Sequence, residues 1–229
     1  MKGLNRNQLK YIAIITMIMD HIAFVFIPSS NPFYSIFRFF GKLTAPIMCY
    51  FLAEGYNYTS SKFKYGLRLF IFSIISQFTF SLAFYNTLFI LRFNMIFTLF
   101  LCFLVLLNYD KIKNKLLKCI SITLLIIVSY FSDWGIFAPL WVLGFYIFKG
   151  TIIVQVIIYN IVTIITIVFK YLLLKNISWY SFFGMYFGLF LFIPVIFLYN
   201  GQKGKKNKFN KWFFYVFYPL HLLIIMVLS

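Results

Sequence analysis

Asp20 and His21 sit side by side in a run, Leu9 to Ile27, that is otherwise almost pure hydrocarbon. The chain has only two histidines and four acidic residues, so an acid and an imidazole at adjacent positions in an apolar stretch stand out. An Asp at such a depth costs on the order of 2.5–3.5 kcal/mol on insertion scales. Groups that survive at that cost usually face a bundle interior or a watery cavity and act on ions, protons or substrates. The second histidine, His221, lies in the last apolar stretch, just after Tyr218-Pro219. Two imidazoles from opposite ends of the chain, with a carboxylate beside one of them, point to acid–base chemistry.

The elements that must position these groups are helices in lipid. Of 229 residues, 63% are hydrophobic and 24% aromatic, with a mean hydropathy of +0.92. A water-soluble core of this size has no room for that much apolar surface. Nine apolar segments approach the roughly 20 residues that a crossing requires: 8–27, 34–56, 66–85, 93–108, 116–131, 134–148, 151–170, 178–199 and 212–228. The fourth to sixth are short. The expectation is an all-α polytopic membrane protein, residues 1–229 forming one transmembrane domain. The first segment is as long as a span and no small-residue cleavage site follows it, so it reads as a helix and not as a signal peptide.

Charge gives the direction. Lys and Arg number 21 and the formal net charge is +17. In a soluble protein that excess would suggest nucleic acid; here the basic residues fall between apolar runs, which indicates topology and anionic lipid and excludes nucleic acid as a partner. With the N-terminus inside, 16 basic residues fall in cytoplasmic segments and 3 (Arg92, Lys170, Lys175) in outer ones. The remaining two, Arg38 and Lys42, lie within the second span, one helical turn apart. The expected orientation is N-in, C-out. At 1.5 Å per residue, His21 lies roughly 20 Å from the inner edge. Arg38, Lys42, His221, Asp133 and Arg92 reach the same zone of depth. Depth agreement permits contact without establishing it. A buried ion pair between Asp20 and Arg38 or Lys42 that only fixes helix order remains open, as does a Glu54 that snorkels or pairs with Lys62 or Lys64.

Other chemistries find no support. No His-x-x-x-His or paired-Cys spacing suggests a metal, and the cysteines (Cys49, Cys102, Cys119) read as packing residues. Gly201-Gln202-Lys203-Gly204-Lys205-Lys206 lacks P-loop spacing, and Gly-x-Ser-x-Gly is absent.

Several motifs together resemble the TraX family. They are Met17-Ile18-Met19-Asp20-His21, then Arg38-Phe39-Phe40-Gly41-Lys42-Leu43-Thr44-Ala45-Pro46-Ile47 with Ala53-Glu54-Gly55. Asn94-x-x-Phe97-Thr98-Leu99, Asp133-Trp134-Gly135 and Phe217-Tyr218-Pro219-Leu220-His221-Leu222 complete the series. The similarity spans nearly the whole chain and is thinnest from about Gly150 to Asn200. The family's namesake acetylates the N-terminus of pilin in the bacterial inner membrane, and the family is similar to integral-membrane acyltransferases with a histidine in an early helix. The resemblance therefore implies acyl transfer in a bacterial cytoplasmic membrane, with acetyl-CoA as donor. The implied acceptor is an exported peptide, a pilin-like protein or a glycan. Under that reading His21 is the general base, Asp20 sets the local field through Arg38 or Lys42, and those two cations serve an oxyanion or the CoA phosphates. Asn94 and Tyr218 hydrogen-bond substrate, and His221 protonates the leaving thiolate or positions the acceptor. Glu54 and Asp133 complete the expected binding set. A transporter or flippase for a polar or lipid-linked solute and a non-catalytic assembly factor are the alternatives.

Overall fold

In a computed structural model of the chain, residues 3–88, 90–173, 182, 186–205 and 208–228 are described. The helices in chain order are α1 (Arg6–Phe26), α2 (Pro32–Gly41), α3 (Thr44–Tyr58), α4 (Lys62–Tyr85), α5 (Met95–Lys111) and α6 (Lys115–Ser129). After them come α7 (Phe137–Ile147), α8 (Ile152–Leu173), a 3-10 turn at Phe187–Leu191, α9 (Phe192–Phe197) and α10 (Lys208–Leu228). Each of the nine apolar segments is largely helical where it is described; residues 178–181 and 183–185 of the 178–199 segment lie outside the described residues. Among the described residues four helical stretches are long and apolar enough to cross a bilayer: Arg6–Phe26, Pro32–Tyr58, Lys62–Tyr85 and Ile152–Leu173. Phe137–Ile147, Phe187–Phe197 and Trp212–Leu228 are apolar but shorter. Of the nine expected spans, the described residues thus show several long apolar helices with shorter ones packed among them. An 11-residue helix such as α7 spans only about 16 Å of a hydrocarbon core about 30 Å thick.

Burial runs opposite to that of a soluble helix. On α8 the buried positions are Gln155, Tyr159, Thr163, Thr166 and Ile167, whereas Ile153, Ile157, Ile161, Ile164, Ile165 and Val168 are exposed. The exposed residues recur every three to four positions and form an apolar outer stripe, the face a helix shows to lipid. The Gln155 amide reaches the Phe145 carbonyl at 2.7 Å, and the Tyr159 hydroxyl donates to the Leu189 carbonyl at 2.7 Å. Polar groups here hold helices together where no solvent competes for them.

The expected second span, 34–56, is broken. Helix α2 ends at Gly41 and α3 begins at Thr44. Pro46 has no N–H to offer the carbonyl of Lys42, so it is accommodated in the first turn of a new helix and not in the middle of a continuous one. Arg38 and Lys42 consequently do not share one helical face, and the break sends them to different partners. Helix α1 packs on both α2 and α3, and α10 closes against α4 and α1. Thr16 and Thr44 hydroxyls lie 3.0 Å apart, and the Thr44 hydroxyl donates to the Ala13 carbonyl at 3.1 Å, seaming α1 to α3. The Tyr11 hydroxyl reaches Asn210 at 2.8 Å, joining α1 to α10.

Gly41 is required by a close approach. A Cβ placed there would lie 2.3 Å from Asp20 Cβ, so the bare glycine lets α2 lie directly on α1 at the level of Asp20.

Candidate active site

The two imidazoles meet. His21 Nδ1 lies 2.8 Å from His221 Nε2, and the rings are nearly parallel, 12° apart. The other ring nitrogen of His221, Nδ1, is 3.0 Å from the Phe217 carbonyl. A carbonyl oxygen only accepts, so His221 Nδ1 carries the proton and donates it. For a neutral His221, Nε2 is then the acceptor, and the bond between the rings is donated by His21 Nδ1–H. His21 is left with Nε2 as its one unspent nitrogen. The relay runs His21 to His221 to backbone, and it fixes the tautomer and orientation of the outer ring.

Helix α10 makes this possible. His221 lies two residues beyond Pro219, which removes one backbone donor from the helix interior, and His221 itself is 6% exposed. Phe217 stacks on the His221 ring at 5.3 Å, and Phe84 of α4 meets the edge of His21 at 4.9 Å. Both rings are therefore clamped by aromatic neighbours as well as by hydrogen bonds.

Asp20 does not pair with His21. It accepts a 2.7 Å hydrogen bond from Arg38 Nη1, which decides between the two cations the sequence allowed. Lys42 is buried and turns away, its ammonium 5.5 Å from the Trp134 ring and 5.2 Å from the Tyr186 ring. Asp20, His21, Arg38, Arg92 and Asp133 line one small cavity of about 110 Å³, walled by Phe24, Phe80, Phe84 and Tyr85. Five of the six groups expected at one depth thus gather around or beside His21, with His221 joined to it by the hydrogen bond. Lys42 lies behind the Trp134 and Tyr186 rings.

Asn94 departs from expectation. Its Oδ1 accepts from the Ile96 and Phe97 amides, and its Nδ2 donates to the Ser73 carbonyl and to Gln77 Oε1. All four hydrogen-bonding positions of the amide are spent, and the residue is fully buried. It caps α5 and ties that helix to α4, which leaves nothing for a substrate. Asn94→Ala is expected to lower unfolding stability by about 2–4 kcal/mol, from a lost cap and orphaned buried partners. Thermal unfolding in detergent measures it. The Tyr218 hydroxyl receives the next orphan amide of α5, Met95 N–H, at 3.3 Å. Its own proton remains available for donation, and the Tyr218 ring is 5.3 Å from His221 and 6.5 Å from His21.

Glu54 is remote from this cluster. It holds Arg6, with Nη2 at 2.6 Å and Nε at 2.8 Å, and accepts from the Tyr199 hydroxyl at 2.8 Å. Neither Lys62 nor Lys64 is its partner: Lys62 pairs with Asp110, which also accepts from Tyr56 and Tyr146. Sequence reasoning counted Arg6, Lys10 and Arg68 only as topology charges, yet all three line a second, larger cavity of about 260 Å³ that extends to Met17, Met95 and Tyr218.

The TraX protein family model matches residues 5–229. The chain belongs to the TraX family. It is a multi-pass, all-α membrane protein, as the bacterial inner-membrane setting of TraX proteins requires. It is also similar to the "Probable fimbrial assembly protein FimC, serogroup H1" of Dichelobacter nodosus, with 35% identity over 144 residues. That alignment covers 59% of this TraX-family chain and 59% of the relative. No solved structure matches the chain.

Proposed function

We propose that the protein is an integral-membrane acyltransferase that moves an acyl group, acetyl in the first instance, from an acyl-CoA to an amine or hydroxyl of an exported or membrane-associated acceptor. The observation that carries this reading is the hydrogen bond between His21 and His221. A half-buried imidazole whose Nδ1–H is committed to a fixed acceptor presents Nε2 as a base, the arrangement general-base catalysis needs. His221 here takes the part of the orienting group and not that of the acid for the leaving thiolate.

In the proposed reaction the acceptor nitrogen or oxygen attacks the thioester carbonyl while His21 Nε2 takes its proton. Charge builds on the carbonyl oxygen, where the Tyr218 hydroxyl, its own oxygen engaged by Met95 N–H, is placed as a donor. Collapse breaks the carbon–sulfur bond, and the proton held on His21 passes to the thiolate, giving the acylated acceptor and free CoA. The Asp20–Arg38 pair and Asp133 line the acceptor side and balance its charge. The N-in, C-out orientation belongs to this proposal: it sets the Arg6 end of the helices in the cytoplasm, and the Asp133 end where an exported acceptor arrives.

Mass spectrometry of exported peptides and surface polymers tests the reading, comparing cells with the gene, without it, and with His21→Ala. A component heavier by one acyl group only when wild-type protein is present supports it. Identical spectra in all three strains oppose it. The similarity to a protein named for fimbrial assembly favours one second reading, a non-catalytic assembly factor. In that case His21→Ala retains full function in fimbrial assembly, and no acylated product appears.

A further inference from the structure

We infer that the larger cavity, the one lined by Arg6, Lys10 and Arg68, is the donor site, and that Lys10 and Arg68, the two not held by a carboxylate, bind the phosphates of an acyl-CoA. The inference rests on the acyltransferase reading and adds where the donor binds and with which residues. Charge arithmetic is the first support. The chain has four acidic residues, and three of them are committed to Arg6, Arg38 and Lys62. The fourth, Asp133, lines the other cavity. Lys10 and Arg68 therefore line their cavity with no carboxylate in ion-pair contact, facing aromatic rings instead: Lys10 over Phe214 at 4.9 Å, Arg68 over Tyr65 at 5.7 Å. Arg68 Nε is buried with no hydrogen-bond partner among the described residues. Cations that line an apolar pocket without a carboxylate partner suit a polyanion.

Shape is the second support. The cavity passes from these cations down between Ile14, Met17, Met48 and Leu69 to Tyr218, whose ring lies beside both imidazoles. Along α1, the rise from Lys10 to His21 is about 16 Å, the reach of an extended phosphopantetheine arm. A ligand with a phosphorylated head and a long thin arm ending in a thioester would lay its head on the cations and its reacting carbon at Tyr218. Arg38 and Lys42, the cations the sequence offers for the CoA phosphates, are at the wrong end: one is spent on Asp20 and the other lies behind Trp134 and Tyr186.

Binding of CoA and of pantetheine to the purified full-length protein in lipid nanodiscs tests this by calorimetry. Wild type is expected to bind CoA at least about tenfold more tightly than pantetheine, in a salt-sensitive manner. Arg68→Gln and Lys10→Gln are each expected to weaken CoA by about tenfold while leaving pantetheine unchanged, and His21→Ala is expected to leave CoA affinity intact. Two substitutions on different helices guard against one that merely misfolds. Unchanged CoA affinity in both variants, equal affinity for CoA and pantetheine, loss of CoA only in Arg38→Gln or Lys42→Gln, or no binding of CoA to wild type would overturn the assignment. The two ideas fail separately. If CoA binds through Arg68 and Lys10 yet His21→Ala transfers acyl groups at the wild-type rate, the catalytic reading falls and the donor site stands. If His21 proves essential to transfer while KM for acyl-CoA is the same in Arg68→Gln and Lys10→Gln, the donor site falls and the chemistry stands.

Discussion

Replacing His21 with Ala is expected to cut acyl transfer by about 10²–10⁴-fold, the range for removal of a general base, with donor affinity and membrane insertion unchanged. The expectation follows from where the hydrogen bonds go. His21 Nδ1 is engaged by His221, and His221 is engaged in turn by the Phe217 carbonyl, so the chain ends on one basic nitrogen that nothing else in the cluster replaces. Asp20 is held by Arg38, and a carboxylate so committed is a poor substitute. His21→Gln tests the role more finely, because its amide still donates to His221 Nε2 but offers no imidazole base; it is expected to be as inactive as Ala. His221→Gln should lose less, since it removes orientation and not the proton acceptor. The assay is turnover of radiolabelled acetyl-CoA into a captured acceptor, with protein folding checked by size-exclusion chromatography. Transfer by His21→Ala within a few-fold of wild type contradicts the assignment.

Gly41→Ala is expected to damage the bundle where α2 lies on α1. The added Cβ would sit 2.3 Å from Asp20 Cβ, an atom at the root of its side chain and fixed by the α1 backbone. Overpacking of this kind typically costs about 1–3 kcal/mol. Pushing α2 off α1 also parts Arg38 from Asp20, and separating a partly buried ion pair adds to the loss. The total expected is about 3 kcal/mol or more of unfolding stability, together with loss of transfer. Gly55→Ala is the control. There the nearest atom is the Tyr65 hydroxyl at 3.1 Å, the far end of a side chain that can shift, and the expected change is under about 1 kcal/mol. Paired thermal unfolding of the two variants in one detergent reads the difference. Equal stability of the two would mean that α1 and α2 are not seated as described.

Much of this site is legible in the sequence because lipid makes polar residues conspicuous. Asp20, His21 and His221 stand out against their neighbours, and counting residues along the helices places them at one depth. Their contact depends on lateral packing, α10 against α1, which no periodicity encodes. The Arg38–Asp20 pair was one of two equal possibilities until the break after Gly41 separated Arg38 from Lys42. Pro46 carried the hint, since a proline inside a presumed continuous helix marks a restart. Asn94 followed by an apolar run carries an N-cap signal, and its saturated hydrogen bonds give it a structural task instead of a substrate to bind. Arg68 and Lys10 were hidden by their role in topology. A basic residue near a helix end looks the same whether it faces headgroups or a cavity, and only the position of the four acids shows which cations are left without a partner.

The central claim is that the two histidines form a directed pair, each protonated on Nδ1, with His21 Nε2 as the free base. The chain contains only these two histidines, so nitrogen NMR of the histidine-labelled protein in nanodiscs reports on them alone. The expected spectrum shows both neutral rings in the Nδ1–H tautomer, the less common form in water, with a coupling between the rings that vanishes in His221→Gln. An Nε2–H tautomer on either neutral ring, or two rings with no coupling between them, would contradict the account.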